Sequence, residues 1–277
     1  QGGAFTLYYV SLSTLATDMA PPARLGQAIG LFGAVMISTN ALGPALAEWL
    51  SQAFSWTLVF GWTAVAALIA AILTSLIGEQ PKPHHLQANT SMLEVLRRPG
   101  LRRVLVVAAM VGCSMGSVYT LYQPRALQLG YQQVSPHLIA FAVFAMALRL
   151  GLGGLADRMG RLRVATAALL LYVAAPFSMI WLDLFGLFIT GALLGLAHGL
   201  FFPALNAVAL DRTQDNERGK GMAAYHGSFN VGFAACIYFL GYVATAADYP
   251  TVFTISGVIC IAAFILLTTV PEITPSP

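Results

Sequence analysis

The sequence predicts an all-α fold, a multi-pass transmembrane helical bundle, and three observations predict it. Only 9% of the 277 residues are charged and 58% are hydrophobic, whereas an ordinary soluble domain is about one-quarter charged. Mean hydropathy is +0.75. The 14 basic and 11 acidic residues are spaced so that nine charge-free runs separate them, at 1–17, 25–47, 49–78, 104–124, 126–148, 164–182, 184–210, 221–247 and 249–271. A soluble globule is excluded.

Length makes the runs helices. A hydrocarbon core about 30 Å thick takes roughly 20 apolar residues of α-helix. Membrane strands would be about 10 residues long and would alternate polar with apolar. Nine helices are therefore expected. The first run is the shortest and the chain opens on Gln1, as a cut through a helix would leave it. The second and third runs are separated by Glu48, the one carboxylate that interrupts a long apolar stretch. Residues 78–103, GEQPKPHHLQANTSMLEVLRRPGLRR, form a polar linker with three prolines. Within it Ser91 and Glu94 have the spacing of a capping box, which predicts a short surface helix with Leu93, Val95 and Leu96 toward lipid. The fourth run ends YTLYQPR at 119–125, and the fifth reaches Arg149 just beyond it. After a glycine-rich basic loop come the sixth to ninth runs, separated by short turns at Asp183, at 211–220 and at Asp248.

Charge orients the bundle. If segments 18–24, 78–103, 157–163 and 211–220 share one side, that side holds every Lys and Arg except Arg125 and Arg149. The positive-inside rule makes it cytoplasmic, so the C-terminal tail is expected inside. The net charge of +3 is then topology, and no nucleic-acid partner is implied. Cys113, Cys236 and Cys260 sit in apolar runs, where free thiols pack as small hydrophobes. His84 and His85 are adjacent in the linker, but no third ligand accompanies them, so no metal site is expected.

Two catalytic patterns match by letter. GCSMG at 112–116 fits the nucleophile elbow, and GLGGLA at 151–156 fits the dinucleotide fingerprint. The first needs a strand, turn and helix, and the second a βαβ unit. Both lie in apolar helical runs, so no enzyme and no cofactor is expected. An intramembrane serine hydrolase using Ser114 with His198 is the alternative from a different class.

The loop at 153–161, GGLADRMGR, resembles the loop signature of the major facilitator superfamily, G-x-L-a-D-r-x-G-r. Four runs follow it, as they would if it joined the eighth and ninth helices of a twelve-helix transporter. STNALGPALA at 38–47 looks like the fifth-helix signature g-x-x-x-x-G-P-x-x-G-G associated with antiporters. It keeps Gly43 and Pro44 but departs at Ser38, Ala47 and Glu48. QGGA at 1–4 looks like the tail of the fourth-helix signature. RLGQAIGLFG at 24–33 and RGKGMAAYHG at 218–227 echo each other, as repeated halves should. HGLFFPALN at 198–206, followed by ERG at 217–219, most resembles bacterial twelve-helix drug and sugar efflux permeases.

The resemblance implies a major facilitator fold with helices 4 to 12 present. Residues 1–77 would be three helices of the N-terminal half, 78–103 the linker between halves, and 104–277 the C-terminal six-helix half. It implies a secondary transporter of a small molecule working by alternating access, an exporter coupled to protons; uptake is the alternative direction. The setting would be the bacterial inner membrane, with the bilayer and a small-molecule substrate as partners and a monomer as the working unit. Gly153, Asp157, Arg158, Gly160 and Arg161 would latch the two halves on the cytoplasmic side; the alternative is that they only set topology.

The same resemblance turns the fourth, seventh and tenth helices toward the central cavity, with the fifth, eighth and eleventh beside them. Candidate pathway residues are then Asn40, Tyr119, Tyr122, Gln123, Arg149, His198, Phe202, Asn206 and Asn230. His198, Phe202 and Asn206 recur every four residues on one face, and Pro203 could open a kink there. Each has a second reading, because amides and hydroxyls also tie membrane helices together at about 0.6 kcal/mol. Arg149 either snorkels to the cytoplasmic edge or meets a substrate group. The histidines titrate in the range that proton exchange needs, but a neutral hydrogen-bonding imidazole is the expected state.

Overall fold

The structure, a computed structural model, describes residues 12, 15, 25–76, 90–152, 155–214 and 217–272. Ten helices lie among them: α1 (Leu25–Ala53), α2 (Trp56–Ser75), α3 (Met92–Arg97), α4 (Pro99–Gln128), α5 (Ser135–Leu152), α6 (Leu155–Met159), α7 (Arg161–Ser178), α8 (Leu184–Leu210), α9 (Arg218–Ala246) and α10 (Tyr249–Thr268). Eight of the nine expected spans are thus long helices. The first expected span lies outside the described residues except for positions 12 and 15. Trp56–Ser75, Gly100–Gln128, Arg161–Ser178, Leu184–Leu210, Gly219–Ala246 and Tyr249–Thr268 are each long and apolar enough to cross a membrane, and Ser135–Gly151 is a shorter apolar helix.

Helix ends form where a side chain can satisfy the unpaired amides. Ser55 accepts from Leu58 N, Asp183 from Gly186 N and Asp248 from Thr251 N, each satisfying one donor that the helix leaves unpaired. The capping box on α3 is present: Ser91 Oγ accepts from Glu94 N at 3.2 Å, and Ser91 N donates to Glu94 Oε2 at 2.9 Å. The lipid-facing expectation for α3 needs correction at Val95. That side chain is completely buried, because α3 lies on α4 and α9.

Packing is set by missing side chains. Gly191, Gly195 and Gly199 of α8 lie one turn apart, against the carbonyl oxygens of His137, Phe141 and Ala145 of α5. Gly112 and Gly116 of α4 meet the carbonyls of Phe229 and Phe233 of α9, and Gly232 of α9 meets that of Ala109. A Cβ at any of these six positions would come within 3.0 Å of backbone, so both helix pairs can approach this closely through glycine alone. α7 packs on α8, while α10 contacts both α4 and α7. Hydroxyl pairs add ties within this group, Ser117 with Ser256 at 2.6 Å and Ser178 with Thr190 at 2.8 Å.

The cysteine expectation is corrected. Cys113 of α4 and Cys236 of α9 form a disulfide, with Cα atoms 4.8 Å apart, leaving Cys260 as the free, buried thiol. The glycine contacts bring these two backbones close enough for the sulfurs to meet.

α1 joins the group through α5. Ser38 Oγ donates to Met146 Sδ at 3.5 Å, and Glu48 Oε1 accepts from Val134 N at 3.4 Å near the far end of the same seam. α2 packs on α1 and keeps Trp56, Phe60, Trp62, Leu68 and Ile72 more than half exposed, a surface that water would oppose and lipid would accept.

The arginine-rich end is closed by charged ties. Glu217 is sealed beneath Arg98, whose Nη2 lies 3.0 Å from Oε1 and 2.7 Å from Oε2. A Thr90 hydroxyl hydrogen bond, with Arg98 and Gln214 adding to it, holds this carboxyl below the usual range. Lys220 donates to the Thr90 carbonyl, which fastens the segment before α3 to α9. The end of α10 is held by Arg103 on Thr269 O, Arg212 on Pro271 O and Arg163 on Glu272.

Candidate functional site

Inside an apolar bundle the informative side chains are the polar and aromatic ones that converge. His198 is the centre of such a group. It is half-buried on α8, where Gly195 and Gly199 hold that helix against α5, so its ring reaches neighbours on α5, α7 and α9. Its Nδ1 lies 2.7 Å from the hydroxyl of Tyr172, a completely buried residue of α7. Ring centroids of Phe141, Phe202 and Phe229 stand 5.8, 4.9 and 6.1 Å away. Phe202 in turn meets Tyr225, His226 and Phe229 within 5.3 Å, and Tyr225 donates to the Phe202 carbonyl at 3.0 Å. Tilted and edge-to-face pairs of this kind contribute about 0.5–1.5 kcal/mol each beyond area burial, so the cluster is stiff.

Arg149 of α5 borders this group. Its guanidinium lies over Gly33 of α1, where an added Cβ would stand 2.6 Å from Nη1, and it is near enough to Tyr172, His198 and Tyr225 to act on them electrostatically. A glycine at position 33 makes room for this cation between α1 and α5. Asn206, two turns beyond His198, has its Oδ1 buried with no hydrogen-bond partner among the described residues.

A second aromatic group continues the first toward Glu48. Tyr119 packs edge-on to Phe141 at 5.6 Å, and Tyr122 stacks on His137 at 4.1 Å. His137 is completely buried, and neither ring nitrogen has a hydrogen-bond partner of good geometry among the described residues. Glu48 is within electrostatic reach of Tyr122.

The structure therefore brings together Tyr119, Arg149, His198 and Phe202, with Tyr122 in the adjoining group. Gln123 and Asn230 are exposed and stand apart from both. Gly43 and Pro44 are exposed on α1, with open space around Gly43. Asn40 lies in α1, but its side chain is outside the described residues, as are Gly153 and the side chain of Asp157. Of the loop motif, Arg158 is exposed on α6, Gly160 takes φ +97° between α6 and α7, and Arg161 pairs with Asp211 at 2.5 Å. A φ in that range favours glycine. Sequence reasoning missed Tyr172, Phe141, Tyr225 and His137. Single aromatics in apolar runs carry no spacing signal.

The hydrolase alternative fails on geometry. Ser114 is buried within α4, with neither strand nor sharp turn around it, and Nδ1 of His198 is taken by Tyr172. No group of three metal-binding side chains occurs among the described residues.

The chain matches the family described as Major Facilitator Superfamily over residues 1–186 and again over residues 125–277. Its fold is similar to that of the human organic anion transporter MFSD10 (TETRAN), with TM-score 0.69, 16% identity, and coverage of 92% of this chain and 66% of that one. It is also similar to the E. coli fucose:proton symporter FucP, with TM-score 0.62, 13% identity, and coverage of 96% and 73%. This chain thus spans just under two-thirds of the length of the first of these.

Proposed function

The chain belongs to the major facilitator superfamily, a family of membrane transporters and not of enzymes, and from that premise we propose that it exports a small molecule by alternating access, driven by protons. The observation that carries the reading is the half-buried His198–Phe202 edge of α8, where polar and aromatic groups from α5, α7, α8 and α9 converge within an otherwise apolar bundle. Arg149, Tyr119 and Asn206 belong to the same lining, with Asn40 and Tyr122 as its outer members, while Gln123 and Asn230, exposed and apart from both groups, are given no part in it. Residues 1–77 and 104–277 serve as parts of two halves joined by 78–103. Gly153, Asp157, Arg158, Gly160 and Arg161 act as the latch between them, at the cytoplasmic face of a bacterial inner membrane. The antiporter-like Gly43-Pro44 pair supports export. Import by proton symport is the second reading, favoured by the likeness to a fucose:proton symporter.

Expression in an efflux-deficient bacterial host, with accumulation of a panel of labelled sugars, organic anions and dyes, tests this. Export predicts lower accumulation of at least one compound, reversed by a protonophore and by Asp157→Asn or His198→Ala. Raised accumulation would establish import instead. Accumulation untouched by the chain across the panel would refute transport by this polypeptide.

A further inference from the structure

We infer that Tyr172 fixes the tautomer of His198, so that the pathway is offered an N–H donor at Nε2 and recognises its ligand through a hydrogen-bond-accepting oxygen carried on an apolar ring. The inference rests on the proposal that His198 lines the pathway. Tyr172 is completely buried on α7, and its hydroxyl has one proton and two neighbours able to accept it: His198 Nδ1 at 2.7 Å and Met115 Sδ at 3.9 Å. A phenol is a stronger donor than a neutral imidazole N–H, and an imidazole nitrogen is a far better acceptor than a thioether sulfur. The proton therefore goes to Nδ1, and the ring hydrogen of the neutral imidazole is left on Nε2.

The other side of the ring is available. Among the described residues His198 makes no hydrogen bond except the one to Tyr172. The buried polar atoms left without a partner include both ring nitrogens of His137 but neither nitrogen of His198. Nε2 is consequently unsealed, and the imidazole that carries it has the rings of Phe141, Phe202 and Phe229 around it. A fixed donor beside three aromatic rings, with the Arg149 cation bordering the group, suits a flat apolar group bearing a carbonyl, ether or carboxylate oxygen. A ligand offering only donors would leave Nε2–H unpaired, a penalty of about 1–3 kcal/mol.

Tyr172 is a positioning residue in this scheme, and a spectroscopic test separates that role from a structural one. The full chain, labelled with ¹⁵N-histidine in lipid nanodiscs, should show an unprotonated Nδ1 and a protonated Nε2 for His198, the signal being assigned by its loss in His198→Gln. Tyr172→Phe should turn this into a mixture of tautomers, whereas Met115→Leu, which removes only the weak acceptor, should leave it unchanged. A protonated Nδ1 in the native chain, or an unaltered tautomer in Tyr172→Phe, overturns the proposal. Acetophenone should move the Nε2 proton signal and ethylbenzene, its analogue without the oxygen, should not; equal effects overturn the recognition role. Labelling of His198→Cys by a small charged methanethiosulfonate reagent tests the pathway reading separately. A thiol that resists it, with the tautomer as expected, overturns the pathway reading and the recognition built on it, while the Tyr172 assignment stands.

Discussion

At the residue scale, the buried carboxyl of Glu217 is one described group that responds to pH. A carboxylate removed from water is a liability unless it is paired, and here Arg98 Nη2 stands 3.0 Å and 2.7 Å from its two oxygens, with Thr90 and the Gln214 backbone also lowering its pKa. Because its folded value is depressed, the stabilisation is present above the unfolded carboxyl's ordinary value of about 4.3 and is lost as pH falls through the folded value. Thermal unfolding of the chain in nanodiscs should therefore show a loss of melting temperature below about pH 4. Glu217→Gln should lower stability at pH 7 and flatten that acid limb; an unchanged limb would mean that Glu217 contributes nothing to it. This contact, like the Tyr172–His198 pair, was not legible in the sequence. His198 and Phe202 were, because their four-residue spacing puts them on one helical face. Tyr172, His137 and Glu217 acquire meaning only through a partner on another element, and a single chain position does not announce its partner.

The elements themselves were legible because charge marks their ends. Asp183 and Asp248 both appear as the breaks between apolar runs and as the caps of α8 and α10, so one residue supplies both signals. Helix pairing was not legible in the same way. The disulfide between Cys113 and Cys236, 123 residues apart, depends on α4 and α9 meeting in a particular register, and that register follows from glycines whose spacing could have been read but whose facing helix could not. Packing of this kind makes a sharp prediction. Gly195→Ala places a methyl group against the Phe141 carbonyl and should destabilise the chain by about 1–3 kcal/mol, the usual range for overpacking. Gly241→Ala, on α9 with open space around it, should be neutral or stabilising by up to about 1 kcal/mol, the helix-propensity difference. Denaturation of the two variants side by side in mixed detergent micelles checks this, and equal losses would mean that the notch does not govern packing.

At the scale of the whole molecule, the contacts divide into those that hold a unit together and those that join two units. α4, α5, α7, α8, α9 and α10 are fastened by glycine notches, hydroxyl pairs, a disulfide and the charged ties at the arginine-rich end. The α1 to α5 seam has a different character. Among its described contacts are a hydroxyl to a thioether at 3.5 Å and a carboxylate to an amide at 3.4 Å, the second at the long end of hydrogen bonding, and Gly33 leaves room beneath Arg149 rather than locking against backbone. Contacts between side chains can rearrange more readily than backbone-to-backbone glycine contacts, since close-packed interfaces shift between discrete arrangements and do not deform gradually. If alternating access rocks residues 1–77 against residues 104–277, motion should be concentrated at α1 and α5. Ser38→Cys combined with Met146→Cys, joined by a short thiol crosslinker, should then stop transport and restore it on reduction. The native Cys113–Cys236 bond should be compatible with full transport, because it lies within one unit. Transport that survives the Ser38–Met146 crosslink would show that this seam does not move, and the rocking axis would have to lie elsewhere.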